Sequence, residues 1–335
     1  MEVSYMAEGK VATSESAHEI TPAGAFQRQK NRFTTPFGSG PGELPVEAGR
    51  YRLIWAAICP WANRQTIAFS LLGLDSVIST GKVNPVRTPQ GWEFSLDPDG
   101  VDPVLKIRYL PEIYAETDSE YDGRATVPTV VDVKTRRVVN NDYFKLTNYW
   151  ETAWKPFHKK GAPDLYPEEL RGDIDSLNDV IFNDVNNGVY KAGFAETQQE
   201  YEKAYDALFA RLDQLEERLS AQRFLFGDYV TDSDIRLYVT LARFDAAYYI
   251  VFRVNRNRLI DFPNLWGYAK DLYQTPGFGV NTDFDSIKRG YQLGSQSQNP
   301  YGILAKGPDV SIWNEPHGRA KLSRDPEHKF RAEQQ

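Results

Sequence analysis

The residue best suited to nucleophilic chemistry is Cys59, the only cysteine among 335 residues. Upstream lies Tyr51 to Ile58 (YRLIWAAI), an apolar, β-branched and aromatic run that reads as a buried strand. Downstream, Ile67, Phe69, Leu71, Leu72 and Leu74 fit a helix. Pro60 falls in its first turn, where the missing N–H costs nothing. This places Cys59 at a strand-to-helix corner, where free N–H groups and the positive helix end favour a thiolate over a thiol. The plain alternative is a small buried hydrophobe. A dithiol redox site would need a second cysteine at position 62, which is Ala62. Any redox cycle must therefore pair one protein thiol with a small-molecule thiol.

The surrounding pattern supplies the frame. Residues 77–83 (VISTGKV) read as a second strand, and 84–124 as a long insertion rich in Pro, Asp and Tyr. A strand over 126–132 is entered through Val127-Pro128, the KTRR turn leads to a return strand at Val138-Val139, and a helix is expected from about Asn141 to Trp154. A βαβ unit followed by ββα is the order of a thioredoxin-like domain. In that context the Val127-Pro128 bond is expected to be cis, exposing the Val127 backbone to a peptide-like thiol. Helices then dominate. Tyr201, Ala204, Leu208, Leu212, Leu215 and Leu219 form one apolar stripe. Thr231 with Asp234 forms a capping-box pattern, and Pro263 starts another helix. The division read from the sequence is an arm at 1–48, a thioredoxin-like thiol-binding domain at 49–158, a helical substrate domain at 159–290 and a surface-wrapping extension at 291–335.

Composition removes several function classes. The net charge is −7, from 39 Lys and Arg against 46 Asp and Glu, which argues against a nucleic-acid binder. A single cysteine excludes an intrachain disulfide. The histidines at 18, 158, 317 and 328 do not lie at metal-ligand spacing, so no metal site is expected. Gly38, Gly40 and Gly42 are interrupted by Pro41 and lack a following Lys-Ser/Thr, so no phosphate loop is read there. No apolar run reaches the ~18 residues of a membrane span, and no signal-peptide core opens the chain. The expectation is a cytoplasmic protein with no membrane or nucleic-acid partner.

Cys59-Pro60-Trp61-Ala62-Asn63-Arg64 resembles the CPWAHR box of the glutathionyl-hydroquinone reductases, the xi class of glutathione transferases, with Asn63 in place of the family histidine. Gly91-Trp92-Glu93-Phe94, Gly188 to Ala195 (GVYKAGFA), Asp234 to Leu237, Arg243-Phe244-Asp245, Asn299-Pro300, Gly302-Ile303 and Glu315 to Arg319 extend the resemblance over about residues 33–319. It implies an α/β thioredoxin-like N-terminal domain, an all-α glutathione-transferase C-terminal domain and a homodimer. The implied activity is reduction of an aromatic quinol thioether through a mixed disulfide on catalytic Cys59. The family's substrate tyrosines map onto Tyr190, Tyr248 and Tyr291. The thiol site maps onto Trp92, Val127, Pro128, Asp142 and Tyr143. The family carries Glu-Ser where this chain has Asp142-Tyr143, so the cosubstrate is expected to be glutathione, mycothiol or another small thiol. An omega-like thiol transferase or deglutathionylase and a non-catalytic ligand-binding or scaffold protein are the alternatives. Rapid alkylation of Cys59 would speak against the scaffold.

Overall fold

A computed structural model describes residues 19–295 and 298–332. His18 lies outside the described residues. The N-terminal half is built on a four-stranded sheet in the order β2-β1-β3-β4, formed by β1 (Tyr51–Trp55), β2 (Ser79–Lys82), β3 (Thr129–Asp132) and β4 (Arg137–Asn140). β1 runs parallel to β2, pairing Arg52 with Ser79, and antiparallel to β3, pairing Ile54 with Thr129. β3 and β4 are antiparallel. This is the expected βαβ-ββα frame. The parallel crossover is carried by α1 (Pro60–Leu72), which ends at Gly73 in the left-handed region, with φ 79°.

β1, β2 and β3 are shorter than their apolar runs suggest, whereas β4 reaches one residue beyond Val138-Val139 at each end. β1 stops at Trp55, and residues 56–59 turn instead of continuing to Ile58. The expected helix over 141–154 is α3 (Leu146–Glu151). Side-chain capture of backbone donors delays it: Asp142 N–H donates to Asn140 Oδ1 at 2.8 Å, and Phe144 N–H to Asp142 Oδ1 at 3.1 Å. The insertion is ordered and contains α2 (Leu110–Thr117), whose start is held by Glu112 accepting from the N–H groups of Arg108 and Tyr109. A buried Arg52–Asp102 ion pair at 2.6 Å ties this insertion to β1.

The C-terminal half is helical: α4 (Arg171–Ile181), α5 (Gly188–Gly193), α6 (Gln198–Ala221), α7 (Asp232–Arg243), the single turn α8 (Tyr249–Val251), α9 (Pro263–Tyr273) and α10 (Phe284–Leu293). Wide π-type turns at Phe182–Asn186 and Phe244–Tyr248 precede α5 and α8. On α6, Leu208, Leu212, Leu215 and Leu219 are buried, while Tyr201 and Ala204 at its start are only partly so. α7 is buried throughout and packs on α1, joining the two halves. Beyond α10 the chain returns over the helices: Val230 N–H donates to Lys329 O at 2.9 Å and Asp164 N–H to Arg331 O at 2.8 Å. Among the described residues no helix is long and apolar enough to cross a membrane.

Candidate active site

Cys59 is the N-cap of α1, in extended conformation at φ −75° and ψ 118°. Its thiol donates to the Val127 carbonyl at 3.3 Å, across the mouth of the sheet. The Val127-Pro128 peptide is cis. Val127 is buried, and its N–H has no acceptor among the described residues. Sequence reasoning expected an acidic thiol here. The structure corrects it: burial pushes the Cys59 thiol up, against the opposing pull of the Ala62 and Trp61 N–H groups and the charges of Arg243 and Arg28. Slow alkylation of the free protein is thus expected for enzyme and scaffold alike, and turnover is what separates them.

The corner that carries Cys59 is held from the helical half. Arg243, the last residue of α7, donates through Nη2 to Ala57 O at 2.9 Å and through Nε to Ile58 O at 2.7 Å. It also donates to Val239 O and, from both terminal nitrogens, to Asn63 Oδ1 at 3.2 Å. Asn63 passes the contact on, donating to Asn281 O at 2.8 Å. The helix α10 approaches the same corner at Gly290. A Cβ there would stand 2.3 Å from Ile58 Cδ1 and 2.6 Å from the Pro85 carbonyl, so only glycine permits this separation.

Gly290 is followed by Tyr291, and Tyr291 completes a triangle. Tyr190 on α5 and Tyr248 at the end of the second wide turn place their hydroxyls 3.3 Å apart. Tyr248 and Tyr291 are 3.1 Å apart, and Tyr190 and Tyr291 are also hydrogen-bonded. The structure thus brings together three tyrosines separated by 101 residues of sequence. Burial pushes all three phenols up, so they are neutral donors at physiological pH. The triangle is tied to the Cys59 corner through Trp61, two residues on, whose ring lies 5.9 Å from that of Tyr190. Phe252 stacks on Tyr248 with centroids 5.3 Å apart and planes at 11°, and Trp61 lies 5.9 Å from Tyr190, so the phenols sit in an aromatic cluster.

The residues expected to form the thiol site are less uniform. Trp92 and Val127 are buried beside the Cys59 corner. Asp142 uses Oδ1 to accept from Asn31 Nδ2 and from the Phe144 and Lys145 N–H groups, leaving Oδ2 without a partner among the described residues. Tyr143 does not turn to solvent. Its ring packs on Trp61 at 5.2 Å and Phe182 at 6.1 Å, and burial pushes its phenol up.

Sequence reasoning missed the arm's part in this site. Arg28 lies over the rings of Tyr190, at 4.6 Å, and Trp61, at 4.9 Å, and donates from Nε to Asn187 Oδ1 at 2.9 Å. A lone arginine in a polar loop carries no spacing signal. No cluster of metal-ligating side chains exists among the described residues.

A cysteine at a helix start, beside a buried backbone carbonyl and near a buried cluster of phenols, suits thiol exchange on an aromatic compound. The family model described as glutathione S-transferase, C-terminal domain, matches residues 198–271. Glutathionyl-hydroquinone reductase YqjG of Escherichia coli is 38% identical over 88% of this chain and 92% of its own length. Its glutathione-bound structure superposes with a TM-score of 0.79 over 89% of this chain and 97% of that one. A glutathione transferase from Gordonia bronchialis is 46% identical with a TM-score of 0.86, covering 90% and 95% of the two chains. The xi-class transferase of Phanerochaete chrysosporium is 36% identical with a TM-score of 0.83, covering 89% and 96%. With relatives this similar over nearly its whole length, the chain belongs to the xi class of the glutathione transferases, the family of the glutathionyl-hydroquinone reductases.

Proposed function

We propose that this protein reduces aromatic quinol thioethers, using Cys59 as nucleophile and a small thiol as the second reductant. The observation that carries the reading is the triangle of phenols beside the only thiol. A quinol oxygen entering the chamber replaces one tyrosine–tyrosine hydrogen bond, and the remaining donors hold charge that develops on it. The Cys59 thiolate attacks the thioether sulfur, the sulfur–aryl bond breaks, and the aryl carbon collects a proton. The product is free hydroquinone and a disulfide between Cys59 and the former substituent thiol. A second thiol attacks that disulfide, releasing a small-molecule disulfide and restoring Cys59. The net change is two-electron reduction of the thioether at the expense of one thiol.

Deprotonation of Cys59 has a structural trigger in this reading. The Val127 N–H and carbonyl are placed to pair with the amide of a peptide-like thiol. Competition for the carbonyl weakens the hydrogen bond that holds the Cys59 proton. Trp92, Pro128, Asp142 and Tyr143 complete the thiol site. The cosubstrate is glutathione or a thiol without its γ-glutamyl head, such as mycothiol. The Asp142-Tyr143 pair favours the second, because the Tyr143 ring is held by Trp61 and Phe182 where a small hydroxyl would leave room.

Turnover of one hydroquinone thioether with a panel of thiols tests the reading. We expect hydroquinone release by the wild type and none by Cys59→Ser. Asp142→Glu with Tyr143→Ser is expected to improve the apparent affinity for glutathione. Micromolar affinity for glutathione in the wild type, unimproved by the double change, would reject the altered-thiol part alone. Absence of turnover with every thiol would reject the whole.

A further inference from the structure

The three phenols of the triangle are donors without a charge of their own, and the cations around them are unevenly committed. Arg243 donates to the carbonyls of Ala57, Ile58 and Val239 and to Asn63. Arg28, from the arm, stands differently. Its guanidinium carbon lies 4.6 Å from the centre of the Tyr190 ring, 4.9 Å from that of Trp61 and 5.2 Å from that of Phe26. Nε donates to Asn187 Oδ1, but Nη2 is buried and has no acceptor among the described residues. The acids nearest in sequence to Arg28 and to its partner Asn187 are taken elsewhere: Glu19 by Arg124 and the Gln29 N–H, and Asp184 by Arg211. Aromatic faces attract a cation, yet they do not replace the acceptor that a buried N–H lacks. The ionisable groups that face Tyr190 are Arg28 from the arm, Cys59 from the start of α1, Tyr248 from the second wide turn and Tyr291 from α10, and Arg28 is the cation among them. Burial pushes the Tyr190 phenol up, and Arg28 is the first pull against it. Tyr291 is only partly buried, so the triangle is reached from that side. An uncompensated cation thus stands over one ring of the triangle whose oxygens would receive charge.

We propose that Arg28 is a positioning residue of the site: its charge, held over the Tyr190 ring, favours an ionised aromatic oxygen at the triangle over a neutral one, so that acidic phenols bind there as phenolates and release their proton to solvent. The proposal rests on the reading that the triangle receives an aromatic oxygen, but its test does not need turnover. The probe is 4-nitrophenol, whose ionised form has its own absorption band. Cys59→Ser protein, which removes the thiol's own titration, is titrated with it across a pH series that spans the probe's ionisation. The phenolate is expected to bind about 10-fold more tightly than the phenol, which moves the ionisation of the bound probe about one pH unit down. Adding Arg28→Gln, which keeps a donor for Asn187 but drops the charge, should remove that preference. Arg28→Lys, which keeps the charge, should restore most of it. A merely structural role for Arg28 would weaken phenol and phenolate alike. Arg28→Met repeats the measurement should the glutamine disturb folding. Equal binding of the two forms by the parent protein, a preference that survives loss of the charge, or no binding of the probe overturns the proposal. Wild-type turnover of a hydroquinone thioether, measured in parallel, reports separately on the thioether reading: turnover without a phenolate preference removes the role of Arg28 alone.

Discussion

Cys59 is a thiol held back by its own surroundings. Burial and the hydrogen bond to Val127 O keep the proton on sulfur in the free protein. Because burial disfavours the charged form, the shift is upward, and labelling by iodoacetamide should accelerate only as pH rises beyond the ordinary thiol range near about 8.5. A stopped-flow pH series on the free protein checks this, and fast labelling at neutral pH would contradict it. Cys59→Ser is nearly isosteric, so turnover should vanish while the unfolding midpoint stays unchanged. Intact-mass measurement of the wild type with its thioether should show one adduct. The phenols make a second prediction. Tyr190→Phe, Tyr248→Phe and Tyr291→Phe each remove one donor from a water-poor triangle, and each should cost ~10²–10³ in kcat/KM. Retention of full turnover in all three would remove the tyrosines from the reaction.

Two short elements fix where these side chains stand. α10 carries Phe284, Ile287 and Tyr291 at i, i+3 and i+7, a helical stripe that sequence reasoning missed, and its start depends on Asp283 accepting the Ser286 N–H at 2.9 Å. The apolar runs of the sheet were legible, whereas α2 was hidden inside a proline-rich stretch. Tyr190, Tyr248 and Tyr291 were legible only through the resemblance, since no spacing in sequence announces a triangle closed by three separate elements. Arg28 gave no signal at all, because a solitary arginine in a loop has the same surroundings in sequence whether it faces water or aromatic rings. The closeness of α10 to the Cys59 corner yields a prediction. Gly290→Ala must push against the Pro85 carbonyl, so it should cost about 1–3 kcal/mol in denaturant unfolding and lower turnover by displacing Tyr291. The cap of α7 gives another. The Asp234 carboxylate accepts from Thr231 N–H, Leu225 N–H and the Tyr268 hydroxyl, all within 2.9 Å. Asp234→Ala leaves these buried donors unpaired and should destabilise by roughly 2 kcal/mol or more.

At the scale of the molecule, the two halves meet along α1 and α7, and Arg243 crosses that seam with hydrogen bonds to Ala57 O, Ile58 O and Asn63 Oδ1. Arg243→Met keeps bulk but strips the Ala57 and Ile58 carbonyls of their donor, for a loss on the order of 3 kcal/mol. Turnover should fall further than stability alone explains, because the freed carbonyls belong to the nucleophile's own turn. Comparing kcat at temperatures where the variant remains fully folded separates the two effects. The arm is the second tie. Gln29 reaches Tyr121 at 2.9 Å, Arg28 reaches Asn187, and Asn31 reaches Asp142, so the arm bridges both halves over the chamber.

That bridge has a consequence for the chain as it is made. The arm is made before its partners: Tyr121, Asp142 and Asn187 lie 92, 111 and 159 residues after the arm residues that bind them, and Tyr291 follows later still. No nascent fragment that ends before α10 holds the complete chamber. A growing chain that already exposes its one thiol therefore does so without the phenols that would direct it, and competence waits for α10 to be made and packed.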